Sequence, residues 1–239
     1  MGRARAPALV QPPQVPARVD REERPGHHRQ EPPDRYLTHS LSTPVLVLAS
    51  ASPRRRELLG RLGIPFQVLA SHIPEEHPPL SPAEAIAAVA LAKALAVAAE
   101  LGRAGRAPAV ILAADTEVVL GGRLLGKPRD PADAARMLRE LRGREHEVIT
   151  GLAVVEVEAL GVTPRQETTS VTSRVRMADY DEAAIEAYVA TGEPLDKAGG
   201  YAVQGLGGRL VAAVDGCFTN VVGLPLTTTR ALLERRGLR

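Results

Sequence analysis

Arg54, Arg55 and Arg56 stand where helix electrostatics disfavours them, directly after Ser52-Pro53. Ser52 is placed as an N-cap, and Pro53 suits the first helical position, where its missing N–H costs nothing. Cations at that end of a helix oppose its dipole by about 0.3–1 kcal/mol each unless an anion sits there too. The run Leu46–Ala49 before them has the apolar character of a buried strand. A strand, a small-residue turn and a cation-bearing helix start describe an anion site, most simply a phosphate site. A surface helix with solvated arginines is the other reading. Lys93 poses a similar question, because every other residue from Ala85 to Ala99 is Ala, Val, Leu or Ile. A lysine buried there needs a carboxylate or a bound anion; otherwise it marks an exposed stripe. Asp115-Thr116 follows the apolar strand Ala109–Ala114, and open α/β sheets meet ligands at the C-terminal ends of their strands. An aspartate so placed also serves as a turn or cap residue.

The elements needed to position these groups can be read in order. Phe66–Ala70 reads as a second strand. Ser81, Pro82 and Glu84 form a capping box that starts a helix running to Glu100, with Gly102 beyond it. Glu117–Leu120 and Arg123–Leu125 around Gly121-Gly122 read as a hairpin, and Asp130-Pro131 opens a further helix. His146–Leu160 and Thr168–Met177 read as long strands and Asp181–Ala190 as a helix. A glycine-rich stretch, Lys197–Gly208, precedes expected strands at Arg209–Val214 and Thr219–Val222. Gly223-Leu-Pro225 then opens a terminal helix carrying Leu232 and Leu233.

Residues 1–43 differ in kind. Pro7, Pro12, Pro13, Pro16, Pro25, Pro32 and Pro33 alternate with charged and polar residues, and apolar residues are too sparse to offset the entropy of ordering. This predicts a disordered Pro/Arg-rich extension, with an interaction tail as the alternative. The whole chain has 239 residues, 44% hydrophobic and 3% aromatic with no Trp. The core must therefore be built from Ala, Val, Leu and Ile, as suits an α/β protein. A net charge of +2 implies no bulk affinity for nucleic acid or membranes. One cysteine, Cys217, excludes an internal disulfide and a cysteine zinc site, and reads as cytoplasmic. No apolar run approaches the ~20 residues of a membrane span. The six histidines show no metal-ligand spacing.

Ser50-Ala-Ser52-Pro-Arg-Arg, Ala114-Asp115-Thr116, Gly126-Lys127-Pro128-Arg129-Asp130, Gly192-Glu-Pro-Leu-Asp-Lys-Ala198-Gly199, Val203-Gln204-Gly205-Leu-Gly207-Gly208 and Val222-Gly-Leu-Pro-Leu226 occur in that order. Together they resemble the Maf family of nucleotide pyrophosphatases, also called septum-formation proteins, from about residue 44 to the C-terminus. The resemblance implies an α/β fold like that of inosine triphosphate pyrophosphatases, a mixed twisted sheet with flanking helices and two lobes around a central cleft. It also implies hydrolysis of nucleoside triphosphates to monophosphate and pyrophosphate with a divalent metal, and a homodimer. By position, Asp115 matches the general base, and Arg54, Thr116 and Gln204 match positions that set substrate preference. Ser52, Arg55, Glu75, Lys93 and Lys127 match other polar positions of the cleft. Asp115 and Glu75 are hard oxygen ligands suited to Mg²⁺, Mn²⁺ or Co²⁺.

Within the family, Asp-Thr together with Gln-Gly-Leu-Gly-Gly resembles the branch acting on dTTP and UTP. A neutral Gln204 can donate to and accept from a uracil or thymine edge, whereas a glutamate there accepts only and suits 7-methyl-GTP. The alternatives are a 7-methyl-GTP or broad-specificity pyrophosphatase, and a nucleotide-binding regulator of cell division acting without turnover. A dinucleotide enzyme is a poor match, because the first strand–helix turn lacks Gly-x-Gly-x-x-Gly.

Overall fold

The computed structural model describes residues 44–158 and 163–239; the expected disordered extension at 1–43 lies outside them. Short apolar strands β1 (Val45–Leu48) and β2 (Phe66–Val68) pair in parallel, and β1 also pairs in parallel with β3 (Ala109–Leu120). Two long antiparallel strands, β5 (Glu145–Val157) and β6 (Arg165–Met177), then extend the sheet, and the short β7 (Val211–Asp215) completes it. The strand order is β2-β1-β3-β5-β6-β7, with β4 (Arg123–Leu124) paired to the end of β3. Gly121 and Gly122 make the β3–β4 turn, both with positive φ, the backbone that two-residue hairpin loops require.

Helices cover both faces. On one lies α2 (Pro82–Arg103), whose Ala90, Ala94, Val97 and Ala98 pack on Val47, Ile111, Ala113 and Val155. On the other, Leu58 and Leu59 of α1 (Pro53–Gly60) and Leu232 and Leu233 of α6 (Leu226–Glu234) meet Leu46, Leu48, Leu112 and Val154. Helices α3 (Pro131–Leu141) and α4 (Glu182–Val189) close the far end with Leu138, Leu141, Ile185 and Tyr188. The small side chains predicted for this core allow close layers. Gly151 of β5 is an extreme case, since a Cβ there would stand 2.7 Å from the Cα of Ala87 in α2.

Several expectations are corrected. Thr219–Val222 is no strand but part of helix α5 (Phe218–Val222). Its β-branched residues favour a strand locally. Buried Asn220 overrides them, its amide donating to Val148 O at 2.9 Å and Ser173 Oγ at 3.0 Å, and Gly223 ends the helix at φ 124°. Strand β3 does not stop at Ala114 but continues through Asp115 to Leu120. Helix α2 contains Gly102 and ends at Arg103. At 22 residues it is also long and apolar enough by composition to cross a membrane, contrary to the expectation of no such run. One face of α2 is buried on the sheet, while its outer face is alanine-rich with Leu95 exposed.

The register opens a cleft. β1 ends opposite Leu112, whereas β4 joins β3 only at Val119 and Leu120. Among the described residues, positions 113–118 of β3 therefore have no strand neighbour on the β1 side. The turn after β1 and the start of α1 face that gap.

Candidate active site

A cleft of about 370 Å³ occupies the gap, and it gathers Ser52, Arg54, Arg55, Glu75, Lys93, Asp115, Thr116, Lys127 and Gln204. These come from α1, the loop before α2, α2 itself, β3, the loop after β4 and the glycine-rich stretch. Every polar residue expected at the site thus lines one cavity.

The alternation of β3 divides the chemistry between its two faces. Asp115 shares its face with Ile111 and Ala113, under α2. Its Oδ1 accepts from Lys93 Nζ at 2.7 Å, and its Oδ2 lies 3.0 Å from His77 Nε2. Lys93 is therefore the buried lysine that needed a carboxylate, and it finds a second in Glu75 Oε1 at 2.5 Å. Lys127 Nζ donates to the other oxygen of Glu75 at 3.0 Å. Partial burial works against charge on Glu75, but the hydrogen bonds and charges of Lys93 and Lys127 prevail and hold its pKa at about 2.

Thr116, on the opposite face, meets α1. Its hydroxyl accepts from Arg55 Nη2 at 3.0 Å and lies 2.9 Å from Thr150 Oγ1. Arg55 Nε donates to Gly223 O at 3.0 Å, and Nη1 to Ser50 Oγ at 3.4 Å. Burial lowers the pKa of Arg55, with Asp115 and Glu75 acting against that shift. Arg55 thereby ties the first turn of α1 to β3 and to the end of α5. Ser52 caps α1 as expected, accepting from Arg55 N at 3.4 Å, while Arg54 lies partly exposed on the cleft wall and Arg56 is exposed.

Gln204 lines the cleft together with Tyr201 and Val203. Its loop is pinned by Glu193, whose carboxylate accepts from Leu206 N and Gly207 N, each at 3.2 Å, and from Tyr188 Oη at 3.0 Å.

Sequence reasoning missed Glu117 and His77. Glu117 is only 6% exposed, and its Oε2 is buried without a hydrogen-bond partner among the described residues. Burial, and next the charge of Asp115, push its pKa up to about 7. His77, Asp115 and Glu117 each offer a ligand atom, all within 4.8 Å of one another, a set that could hold a metal ion. Spacing carried a signal for Glu117, since i and i+2 in a strand share a face; reading β3 as ending at Ala114 hid it. His77 lies in a loop and is joined to Asp115 only by tertiary structure.

The arrangement is a cationic cradle around a buried carboxylate. Comparison with known proteins agrees in extent and kind. The model of the Maf-like protein family matches residues 45–236. A dTTP/UTP pyrophosphatase of Moorella thermoacetica is 55% identical over 196 residues, 81% of this chain and 95% of the relative. One of Anaeromyxobacter dehalogenans is 52% identical over 196 residues, with the same coverage of 81% and 95%. One of Gloeobacter violaceus is 51% identical over 183 residues, 76% of this chain and 90% of the relative.

Proposed function

Because the chain belongs to the Maf family, we propose that it hydrolyses dTTP and UTP to the nucleoside monophosphate and pyrophosphate in this cleft. The observation that carries the reading is Asp115, buried and held by Lys93 at 2.7 Å, in a cleft also lined by Arg54, Arg55 and Lys127. A triphosphate is the ligand whose charge those cations complement.

In this reading Arg54, Lys93 and Lys127 take the phosphate oxygens. Glu75 keeps the two lysines apart and pointed inward until phosphate replaces it. Asp115 positions a water at the α-phosphorus and accepts its proton as the water oxygen forms the new P–O bond. The bond to the bridging oxygen breaks, and pyrophosphate leaves with that oxygen and its electron pair. Lys93 and Lys127 stabilise the charge gathering there. Arg55 is a positioning residue, fixing α1 against Thr116. Gln204 reads the base edge, and Tyr201 and Val203 flank it.

The residues present fit a divalent cation: a buried carboxylate oxygen of Glu117 lacks a partner, and carboxylates of the hard type surround it. Asp115 would hold it together with His77 and Glu117, whose ligand atoms lie within 4.8 Å of one another, whereas both oxygens of Glu75, expected as the second ligand, are taken by Lys93 and Lys127. When bound, Mg²⁺, Mn²⁺ or Co²⁺ neutralises phosphate charge beyond what the lysines supply.

Hydrolysis of dTTP in ¹⁸O-water tests the reading. Label is expected in the monophosphate alone, and Asp115→Asn is expected to slow release of pyrophosphate by about 100-fold or more. Label in pyrophosphate would place attack at the β-phosphorus and overturn the assignment.

A further inference from the structure

His146 is a buried titratable group for which the proposed function has no use. It lies on β5, 3% exposed, and shares a face of that strand with Val148 and Thr150. Val148 pairs with Val118 of β3, and Thr150 with Thr116, so this face runs from the Thr116 hydroxyl over two valines to the imidazole. Val118, Val148 and Tyr201 line the cleft and also belong to one buried apolar cluster. The cleft is thus polar around Asp115 and Thr116 and apolar further along the strands. A planar base belongs at the apolar end.

Tyr201 is the ring at that end. Its Oη lies 2.7 Å from His146 Nε2, and the two rings meet edge to face at 83°. Among the described residues, this is the hydrogen bond that ties residues 197–208, the stretch carrying Gln204, to a strand of the sheet. The same stretch packs tightly beside it, since a Cβ on Gly199 would stand 2.8 Å from the Val118 side chain. Stability alone does not call for the pair. Whichever atom donates, His146 Nδ1 is left buried without a partner among the described residues, and exchanging both members of such a pair for apolar groups of the same shape can be nearly neutral. Burial lowers the pKa of His146 to about 4 and pushes the Tyr201 phenol up, so both rings are uncharged at neutral pH. What the bond supplies is direction, fixing the tilt of the Tyr201 ring where apolar packing alone would leave it free to adjust.

We propose that His146 is a positioning residue for the base end of the cleft: it holds Tyr201 as the wall against which the pyrimidine ring packs, and with it the approach to Gln204. The proposal deepens the pyrophosphatase reading and rests on it for the identity of the ligand. His146 itself never touches the nucleotide.

Calorimetric titration of the full chain with two probes tests it: an uncleavable dTTP analogue bridged by an α,β-methylene group, which fills both ends of the cleft, and inorganic tripolyphosphate, which fills the polar end alone. His146→Phe is expected to weaken the dTTP analogue by about 10-fold, the size of one good hydrogen bond, and to change tripolyphosphate binding by less than about 2-fold. Tyr201→Phe removes the same bond from the other side and should reproduce this pattern, and the double variant should be no weaker than either single one. His146→Gln, whose amide stands in for Nε2, should keep binding of the analogue within about 3-fold of wild type. Thermal unfolding followed by circular dichroism confirms the fold of each variant, and Tyr201→Phe carries the test should His146→Phe not fold. The proposal is overturned if tripolyphosphate weakens as much as the analogue, if the variants that lose the bond bind the analogue as wild type does, or if the double variant loses the sum of the single effects. Cleavage of dTTP by wild type in those cases would leave the pyrophosphatase reading standing. The expected binding pattern in a wild type that releases no pyrophosphate would sink that reading and keep the positioning role.

Discussion

Lys93 Nζ lies 2.7 Å from Asp115 Oδ1, and the two side chains are only 7% and 5% exposed. The pair joins the middle of α2 to the middle of β3, so the central helix and the central strand are locked at the point where chemistry is proposed. The two partners are unequal. Lys93 has a second carboxylate in Glu75 at 2.5 Å, whereas among the described residues Asp115 has besides Lys93 only His77 at 3.0 Å. Replacing Lys93 by Met should therefore cost about 3–5 kcal/mol, the usual penalty for stranding a buried charge. Asp115→Asn should cost less than half as much. Urea unfolding of both variants checks this, and equal losses would mean that the pair does not depend on Lys93 as described.

The close approach at Gly151 links packing to activity. A methyl group there meets Ala87 Cα at 2.7 Å, so Gly151→Ala should push α2 outward and carry Lys93 with it. Overpacking of this kind costs about 1–3 kcal/mol, and misplacing a site group by ~1 Å can cost as much as 100-fold in rate. A loss of kcat exceeding ten-fold in a variant that remains folded at 25 °C is the expected result.

Glu193 serves the base side of the cleft through its bonds to Leu206 N and Gly207 N. Glu193→Gln replaces one acceptor oxygen by a donor facing an N–H, loosening the loop that presents Gln204. KM for dTTP and UTP should rise by ~10-fold, equivalent to about 1.4 kcal/mol, with kcat changed much less. Steady-state kinetics on both nucleotides separates these effects, and a fall in kcat alone would contradict the positioning role.

His146 gives the fold a pH dependence of known sign. It is buried, its Nε2 lies 2.7 Å from Tyr201 Oη, and burial lowers its pKa from 6.5 to about 4. The unfolded chain therefore takes up a proton below pH 6.5 that the native state refuses until about pH 4. The contribution is complete above pH 6.5 and is lost as pH falls through that window, on the order of 3 kcal/mol in all. Glu117, raised from 4.5 to about 7, acts in the opposite direction, its contribution fading as pH rises between those values. The clean comparison is thus wild type against His146→Phe. The variant should lose less stability than wild type between pH 7 and pH 5 in urea titrations.

Much of this site was legible in the sequence because the informative residues broke local rules. Lys93 was out of place in an alanine helix and Arg54–Arg56 at a helix start; Lys93 finds Asp115 and Glu75, Arg55 finds Thr116 and Gly223, Arg54 lines the cleft, and Arg56 is simply exposed. Ser52 and Asp130 read as helix starts because capping is decided within a few residues; both side chains accept a backbone N–H. Thr219–Val222 was misread because Asn220 bonds to strands about 70 and 47 positions away, which no local window contains. Glu117 was missed through a wrong strand end, and His77 because a loop residue acquires its neighbours only through the fold.

The central claim is that this cleft releases pyrophosphate from pyrimidine nucleoside triphosphates. Pyrophosphate release measured side by side on dTTP, UTP, CTP, GTP, ITP and 7-methyl-GTP, with Mg²⁺, Mn²⁺ or Co²⁺, tests it most directly. The account predicts the highest kcat/KM for dTTP and UTP and near-complete loss in Asp115→Asn. Preference for 7-methyl-GTP, or undiminished turnover in Asp115→Asn, would contradict it.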